Sequence, residues 1–137
     1  MDAWMPRRNL GQGAGVGQAK KDPLGTALCL FNIGRIFYLK GDYPKSIQHY
    51  QSSLTFYQAA DDQVGISMCW NGLGVVHAND GHYPEALNYY LKSLNIRVRI
   101  GNIKGIGTSL MNVGTIYNIQ GDYDLAKKYF MQSLLTL

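Results

Sequence analysis

The amino-acid sequence predicts an all-α protein built from three antiparallel helix pairs that stack into a solenoid. Three observations lead to this prediction. The chain of 137 residues repeats itself every 40 residues, and apolar residues within each repeat recur at helical spacing. No segment of useful length alternates polar and apolar residues as a half-buried strand does. Because two helices alone cannot bury their apolar faces, neighbouring repeats must pack against one another.

Six columns of identical residues define the repeat, and no insertion or deletion interrupts them. We therefore predict repeats at about residues 25–64, 65–104 and 105–137, preceded by a flexible, glycine-rich leader over residues 1–21. The columns hold glycine three times, then tyrosine, then a Ser-Leu dipeptide: Gly25, Gly65 and Gly105; Gly34, Gly74 and Gly114; Gly41, Gly81 and Gly121; Tyr43, Tyr83 and Tyr123; Ser53-Leu54, Ser93-Leu94 and Ser133-Leu134.

Each repeat reads as two helices joined by a glycine turn. The first helix is predicted from apolar residues at 3.6-residue spacing, such as Leu30, Ile33 and Phe37 in the first repeat. A glycine follows each run, and glycine adopts the left-handed conformation that ends a helix without a steric penalty. Asp42 and Asp122 come next, and their side chains can accept a hydrogen bond from the first free N–H groups of the second helix.

A glycine also recurs in the middle of the first helix, where it costs about 1 kcal/mol relative to alanine. A cost that occurs in three repeats needs a structural reason. We expect this glycine to allow close packing of the two helices of a pair, opposite a small residue of the second helix. The glycines are Gly34, Gly74 and Gly114, and the small residues opposite them are Ser46, Ala86 and Ala126.

A family resemblance is clearest in the second repeat, which reads Trp70-x-x-Leu73-Gly74-x-x-His77 and then Gly81-His82-Tyr83, Ala86 and Tyr90. This pattern resembles the tetratricopeptide repeat, and the resemblance covers residues 22–137. It implies a right-handed superhelix of helix pairs. The 40-residue unit is longer than the usual ~34 residues. It is similar to the units of kinesin light chains, spindle-orientation adaptors, Rap-type regulators and sensor histidine kinases. The run Tyr89-Tyr90-Leu91-Lys92-Ser93-Leu94-Asn95-Ile96-Arg97 most resembles the last group.

The resemblance implies that the first helices line a concave groove, in which one asparagine column contacts the main chain of an extended peptide. An amide suits this task because it offers a donor and an acceptor together. The lysines of the family's carboxylate clamp are absent, which argues against a C-terminal acidic ligand. The alternative is that Asn32 and Asn112 only tie one helix to the next. The candidate peptide-binding residues are Phe31, Asn32, Arg35, Asn71, Met111, Asn112 and Thr115.

The sequence contains no recognisable constellation for catalysis. It has no nucleophile elbow, Walker loop or zinc-protease motif, and the alternating glycines of the leader follow no strand. A turn separates His77 from His82, so these histidines do not form a metal site. Cys29 and Cys69 occupy equivalent sites, and we expect both to be buried free thiols. We therefore predict no enzyme activity, no metal and no cofactor.

The net charge of +4 is unevenly distributed along the chain. The leader carries +3 of it, residues 46–91 carry −4, and residues 92–121 carry +4 through Lys92, Arg97, Arg99 and Lys104. We interpret this basic block as a solvated face that complements the acidic block, rather than as a nucleic-acid surface. No stretch is long and apolar enough for a membrane helix. The predicted partner is a protein or peptide, and the predicted location is cytoplasmic.

The last predicted helix leaves Leu134, Leu135 and Leu137 without a following repeat. Solenoids normally cover such a surface, so we expect the third repeat to be truncated and the isolated chain to self-associate through this helix. The sequence therefore predicts a protein-interaction module that binds a peptide in its concave groove. Two alternatives stay open, namely a regulatory segment of a larger signalling protein such as a histidine kinase, and a purely structural repeat array.

Overall fold

The computed structural model describes residues 22–137, which form six α-helices and no strand. The predicted leader over residues 1–21 lies outside the described residues. None of the described helices is long and apolar enough to span a bilayer. The predicted all-α solenoid of three helix pairs is confirmed. The helices are α1 (Pro23–Leu39), α2 (Tyr43–Ala59), α3 (Gln63–Asn79), α4 (Tyr83–Arg99), α5 (Ile103–Ile119) and α6 (Tyr123–Leu134).

Five short turns of one form join the helices, and each contains a residue with positive φ. The predicted helix stops Gly41, Gly81 and Gly121 have φ values of 80°, 81° and 85°, which confirms them. Gly101 has the same role between α4 and α5, with a φ of 72°. Between α2 and α3 the position is held by Asp61, with a φ of 50°. Aspartate is among the few residues with a Cβ that tolerate this conformation.

Polar side chains cap the starts of the helices, as the sequence predicts for α2 and α6. Asp42 accepts a hydrogen bond from the backbone N–H of Lys45 at 3.2 Å, and Asp122 accepts one from Leu125 at 3.4 Å. His82 holds the same position before α4 and forms no side-chain cap. Each aspartate cap thus satisfies one of the N–H groups that lack a partner in the first turn.

The mid-helix glycines bring the two helices of each pair close together, as predicted, but the group that fills the space is an aromatic ring. A Cβ added at Gly74 would lie 2.6 Å from the ring of Tyr90. The predicted small neighbour is also present in the first repeat, where Ser46 Oγ donates to Gly34 O at 2.7 Å. The three glycine and ring pairs are Gly34 with Tyr50, Gly74 with Tyr90, and Gly114 with Phe130.

The serine explains why the Ser-Leu dipeptide recurs at the same position in each repeat. Each serine is buried in the second helix, and its hydroxyl donates to a carbonyl of the first helix 26 residues earlier. A buried hydroxyl needs such a partner, so this bond fixes the register of each helix pair. The bonds run from Ser53 to Ala27 (2.6 Å), from Ser93 to Ser67 (2.8 Å) and from Ser133 to Gly107 (3.0 Å).

The expectation that both cysteines are buried free thiols is wrong for one of them. Cys69 is fully buried, and its Sγ lies 3.4 Å from Ser53 Oγ. Burial raises the pKa of the Cys69 thiol to about 11, which keeps it protonated. Cys29 is free but exposed. The difference arises because α2 covers the Cys69 side of α3, whereas no described helix precedes α1.

The interpretation of the basic block as a solvated face is wrong for Arg97, which is only 8% exposed. Its Nη1 donates to Ser109 Oγ at 2.9 Å and to Gly105 O at 3.3 Å. Arg97 occupies the column of Tyr57, which is equally buried against the next repeat. Within residues 22–137, no ion pair joins the basic block to the acidic one.

Candidate functional site

The first helices α1, α3 and α5 approach one another directly along one side of the stack. Asn79 Nδ2 donates to the hydroxyl of Tyr38 at 3.2 Å, which joins α3 to α1. Asn112 Nδ2 donates to Asn71 Oδ1 at 3.0 Å, which joins α5 to α3. The second helices pack mainly against the first helices of their own and the next repeat. The first helices therefore share one side of the stack, which we call the first-helix surface.

The structure brings two of the predicted site residues together, since Asn71 and Asn112 form the hydrogen bond just described. Both side chains are partly buried. Asn112 therefore does tie one helix to the next, as the alternative interpretation held. The bond uses only part of each amide, because Asn112 Oδ1 and Asn71 Nδ2 have no hydrogen-bond partner among the described residues. The pair still presents one acceptor and one donor group.

The other predicted residues are distributed along the same surface. Asn32 and Arg35 are exposed on α1 and form no hydrogen bond with the asparagine pair. Phe31 is partly buried, and its ring centroid lies 5.1 Å from that of Tyr50. On α5 the side chain of Met111 is 49% exposed, and Thr115 Oγ1 donates to the Met111 carbonyl oxygen at 2.8 Å.

A cleft of about 390 Å³ lies between α3, α4 and α5, next to Asn112. Of its eight lining residues, only Asn112 and Thr115 were predicted as site residues, so the polar Asn79 and Tyr83 were among those missed. A signal for Asn79 was available, because Asn71, Val75 and Asn79 recur at intervals of four and therefore share one face of α3. The cleft is lined by Ala78, Asn79, Tyr83, Tyr90, Asn112, Thr115, Ile116 and Ile119.

The family model of the tetratricopeptide repeat matches residues 65–135, which is more than half of the chain. The chain belongs to the tetratricopeptide repeat family. The resemblance inferred from the second repeat is thereby confirmed. Tetratricopeptide repeats are generally non-catalytic modules for protein interaction. A search of curated proteins found no match to this chain.

Several solved structures share the fold of this chain. The domain of FLU from Arabidopsis has a TM-score of 0.75 and 23% identity, over 85% of this chain and 95% of that one. Aspartyl phosphate phosphatase F from Bacillus subtilis has a TM-score of 0.81 and 17% identity, over 84% of this chain and 30% of the phosphatase. The second repeat domain of Spaghetti (RPAP3) was solved bound to the HSP90 peptide SRMEEVD. It has a TM-score of 0.67 and 18% identity, over 88% of this chain and 99% of the Spaghetti domain.

The first-helix surface of this tetratricopeptide-repeat chain is polar but nearly uncharged. Among the seven predicted site residues, only Arg35 carries a charge. Burial raises the pKa of Tyr90 to about 12. It also raises the pKa of Tyr50 to about 12, although the Arg35 cation opposes the increase. Both hydroxyls therefore stay protonated at neutral pH and act as neutral hydrogen-bonding groups.

His77 of the second tetratricopeptide repeat stacks on Tyr89 and also lies close to His82. The His77 ring centroid lies 5.2 Å from that of Tyr89 and 5.9 Å from that of His82. The buried His77 Nδ1 has no hydrogen-bond partner. Burial and, next, the charge of His82 lower the pKa of His77, and they outweigh Glu85 and Asp80, which raise it. Within residues 22–137 no three His, Cys, Asp or Glu side chains are grouped to hold a metal ion.

Because folding lowers the pKa of His77 from 6.5, the unfolded chain binds this proton more tightly than the folded chain does. We expect the contribution of neutral His77 to the free energy of unfolding to be complete above pH 6.5 and to decline as the pH falls below that value. Replacement His77→Tyr, which introduces the residue found at Tyr117, should flatten this decline. Urea unfolding at pH 7.5 and pH 5.5 measures the decline in the free energy of unfolding. His49→Gln is the control variant, and it should keep the decline of the wild-type chain. An unchanged pH dependence in His77→Tyr would contradict the assignment.

Proposed function

We propose that this tetratricopeptide-repeat chain is an interaction module that binds an extended segment of a partner protein along its first helices. The observation that carries the proposal is the hydrogen-bonded pair of Asn71 and Asn112 on the first-helix surface. The pair joins adjacent repeats, so its position and orientation are fixed before any ligand arrives. Prior ordering of a binding group reduces the entropy lost on binding.

The free groups of the pair match those of a peptide bond. Asn112 Oδ1 can accept from a backbone N–H, and Asn71 Nδ2 can donate to a backbone carbonyl oxygen. Such contacts recognise the main chain and place no demand on the side chains of the ligand. An extended segment offers these groups to a surface more readily than a helix does, since a helix uses them internally.

The neighbouring cleft supports a preference for one class of side chain. It borders Asn112 and combines the apolar residues Ile116 and Ile119 with the polar Asn79 and Tyr83. A volume of about 390 Å³ lies within the range of about 300–1,000 Å³ typical of small ligand sites. We infer that one bulky apolar side chain of the segment enters this cleft while its main chain contacts the asparagine pair.

The charge of the surface supports an internal segment rather than a chain terminus as the ligand. Spaghetti (RPAP3) was solved with the peptide SRMEEVD, which carries three acidic residues, counting only side chains. In contrast, Arg35 is the sole cation among the predicted site residues of this chain. One arginine suits a single acidic residue near α1 and leaves a cluster of acids without enough partners.

A peptide-display selection against the intact chain tests the proposal. We expect enriched peptides to share a bulky apolar residue, and the double replacement of Asn71 and Asn112 by alanine to weaken their binding about tenfold or more. Each lost amide contact contributes about 0.5–1.5 kcal/mol, and 1.4 kcal/mol corresponds to tenfold in affinity. Calorimetric titration of one selected peptide measures the change, and circular dichroism checks that helicity is retained.

The matched control replaces Asn88 and Asn95, two exposed asparagines of the second helix α4, by alanine. This control should bind the selected peptide as the wild-type chain does. Equal affinity of the Asn71 and Asn112 variant would contradict the proposal, and so would an equal loss in the control. A selection that enriches no peptide would favour the purely structural array.

A further inference from the structure

One side of α1 exposes a stripe of residues that the other first helices bury. Cys29, Ile33 and Ile36 lie at helical spacing, and the two isoleucines are 39% and 52% exposed. The same columns are no more than 1% exposed in α3 and α5, where a second helix covers them. Those buried residues are Cys69, Leu73 and Val76 in α3, and Ser109, Val113 and Ile116 in α5.

At the opposite end of the stack, the last helix α6 exposes residues that the other second helices bury. Phe130 and Leu134 of α6 are 37% and 63% exposed, and Leu137 beyond the helix end is also exposed. In α2 the same columns hold Tyr50, Leu54 and Tyr57, none of which is more than 7% exposed, because α3 covers them. In α4 they hold Tyr90, Leu94 and Arg97, which are buried or partly buried against α5.

These two exposed stripes are the two halves of one interface that already occurs twice inside the chain, between α2 and α3 and between α4 and α5. We propose that copies of this chain associate head to tail, with α1 of one copy covering α6 of the next. The groove that α1 would occupy has a volume of about 460 Å³ and lies between α5 and α6. Its apolar lining includes Met111, Phe130, Met131, Leu134 and Leu137.

α1 has the residues that a first helix needs in order to pack on the second helix of the preceding repeat. Where α5 packs on α4, Gly105 lies against the Arg97 side chain, and Asn112 borders the same cleft as Tyr90. α1 carries glycine and asparagine in these two columns, at Gly25 and Asn32. Neither exposed stripe contains a charged residue. Lys127 also lines the groove, but it is exposed on α6, and a long lysine side chain can keep its charged end in water.

The contact joins unlike surfaces, so each association leaves one free α1 stripe and one free α6 stripe. We therefore expect a series of oligomers that grows with concentration, not a closed dimer. Sedimentation equilibrium of the intact chain measures this. The average mass of the wild-type chain should rise steadily from low to high micromolar concentration. A wild-type chain that stays monomeric throughout would overturn the proposal, including the case in which residues 1–21 cover the α1 stripe.

Two lysine substitutions distinguish head-to-tail association from other modes. Ile33→Lys blocks the α1 stripe and Leu134→Lys blocks the α6 stripe, both at positions already exposed to solvent. Each variant alone should be monomeric. An equimolar mixture should form a one-to-one dimer that does not grow further, because each variant retains the surface that the other has lost. Val98→Lys, at a 56% exposed position of α4, should associate as the wild-type chain does.

Like-with-like pairing of the ends gives a different result and would overturn the proposal. In that case one of the two variants would still dimerise, and mixing them would restore nothing. Circular dichroism establishes that each variant is folded, and Ile36→Lys and Leu137→Lys replace any that is not, since both positions are exposed. The measurement needs no peptide, so its outcome is independent of the proposed peptide binding.

Discussion

Replacement Gly74→Leu is expected to lower the free energy of unfolding by about 3 kcal/mol, near the upper part of the range for overpacked cores. A Cβ at this position would already lie 2.6 Å from two carbon atoms of the Tyr90 ring. That ring cannot simply move aside, because Tyr90 is 5% exposed and packs in a cluster with Val113 and Ile116 of the next repeat. With a total stability of about 5–15 kcal/mol for a domain, much of the chain should unfold on mild heating.

Thermal and urea unfolding measure this loss, and two further variants establish its cause. Val64→Leu adds bulk at a 52% exposed position of the same helix and should leave the unfolding free energy nearly unchanged. In a Tyr90→Ala background, the added cost of Gly74→Leu should be much smaller, because the ring that it overlaps is absent. If both backgrounds show the same cost, the close contact between glycine and ring is not the source of the loss.

Replacement Arg97→Met should raise the free energy of unfolding by about 1–2 kcal/mol, since exchange of buried ions for apolar residues is often stabilising. The guanidinium is buried, forms no ion pair, and its Nε has no hydrogen-bond partner. Burial lowers the pKa of Arg97, because removal from water disfavours the charged guanidinium. Methionine keeps an unbranched side chain against Gly105, where the Arg97 Cδ now lies.

The replacement gives up two hydrogen bonds, from Arg97 Nη1 to Ser109 Oγ and to Gly105 O. The Ser109 hydroxyl can then donate to the carbonyl of Gly105, four residues earlier in the same helix. Urea unfolding measures the result, with Arg99→Met at an exposed position of the same helix as the control. Arg99→Met should change stability little. A loss of stability in Arg97→Met would show that the two hydrogen bonds outweigh the cost of the buried charge.

The helices and turns could be predicted from the sequence because local residues determine them. Gly41, Gly81 and Gly121 end helices through their own backbone freedom, and Asp42 and Asp122 cap helices through contacts three residues away. The glycine that ends the first helix recurs at the same position in all three repeats, so the same local pattern predicts each turn. The family resemblance rested on these same residues.

Burial and pairing between repeats could not be predicted in this way, because they depend on residues far away in the chain. Cys29 and Cys69 share a column, yet only Cys69 has a second helix packed on its side. The bond between Asn71 and Asn112 spans 41 residues, one more than the repeat length, as does the bond between Tyr38 and Asn79. Alignment in steps of 40 therefore placed Asn112 opposite Gly72.

The turns have a consequence for how arrays of this kind change length during evolution. Residues with positive φ stand at positions 41, 61, 81, 101 and 121, at a constant interval of 20 residues. A gene segment that encodes two successive helices can therefore be duplicated or deleted at any turn without creating a new type of junction. Unequal recombination between two such segments yields an array with one more or one fewer helix pair. The length of the first-helix surface changes in the same step, and no individual helix has to be redesigned.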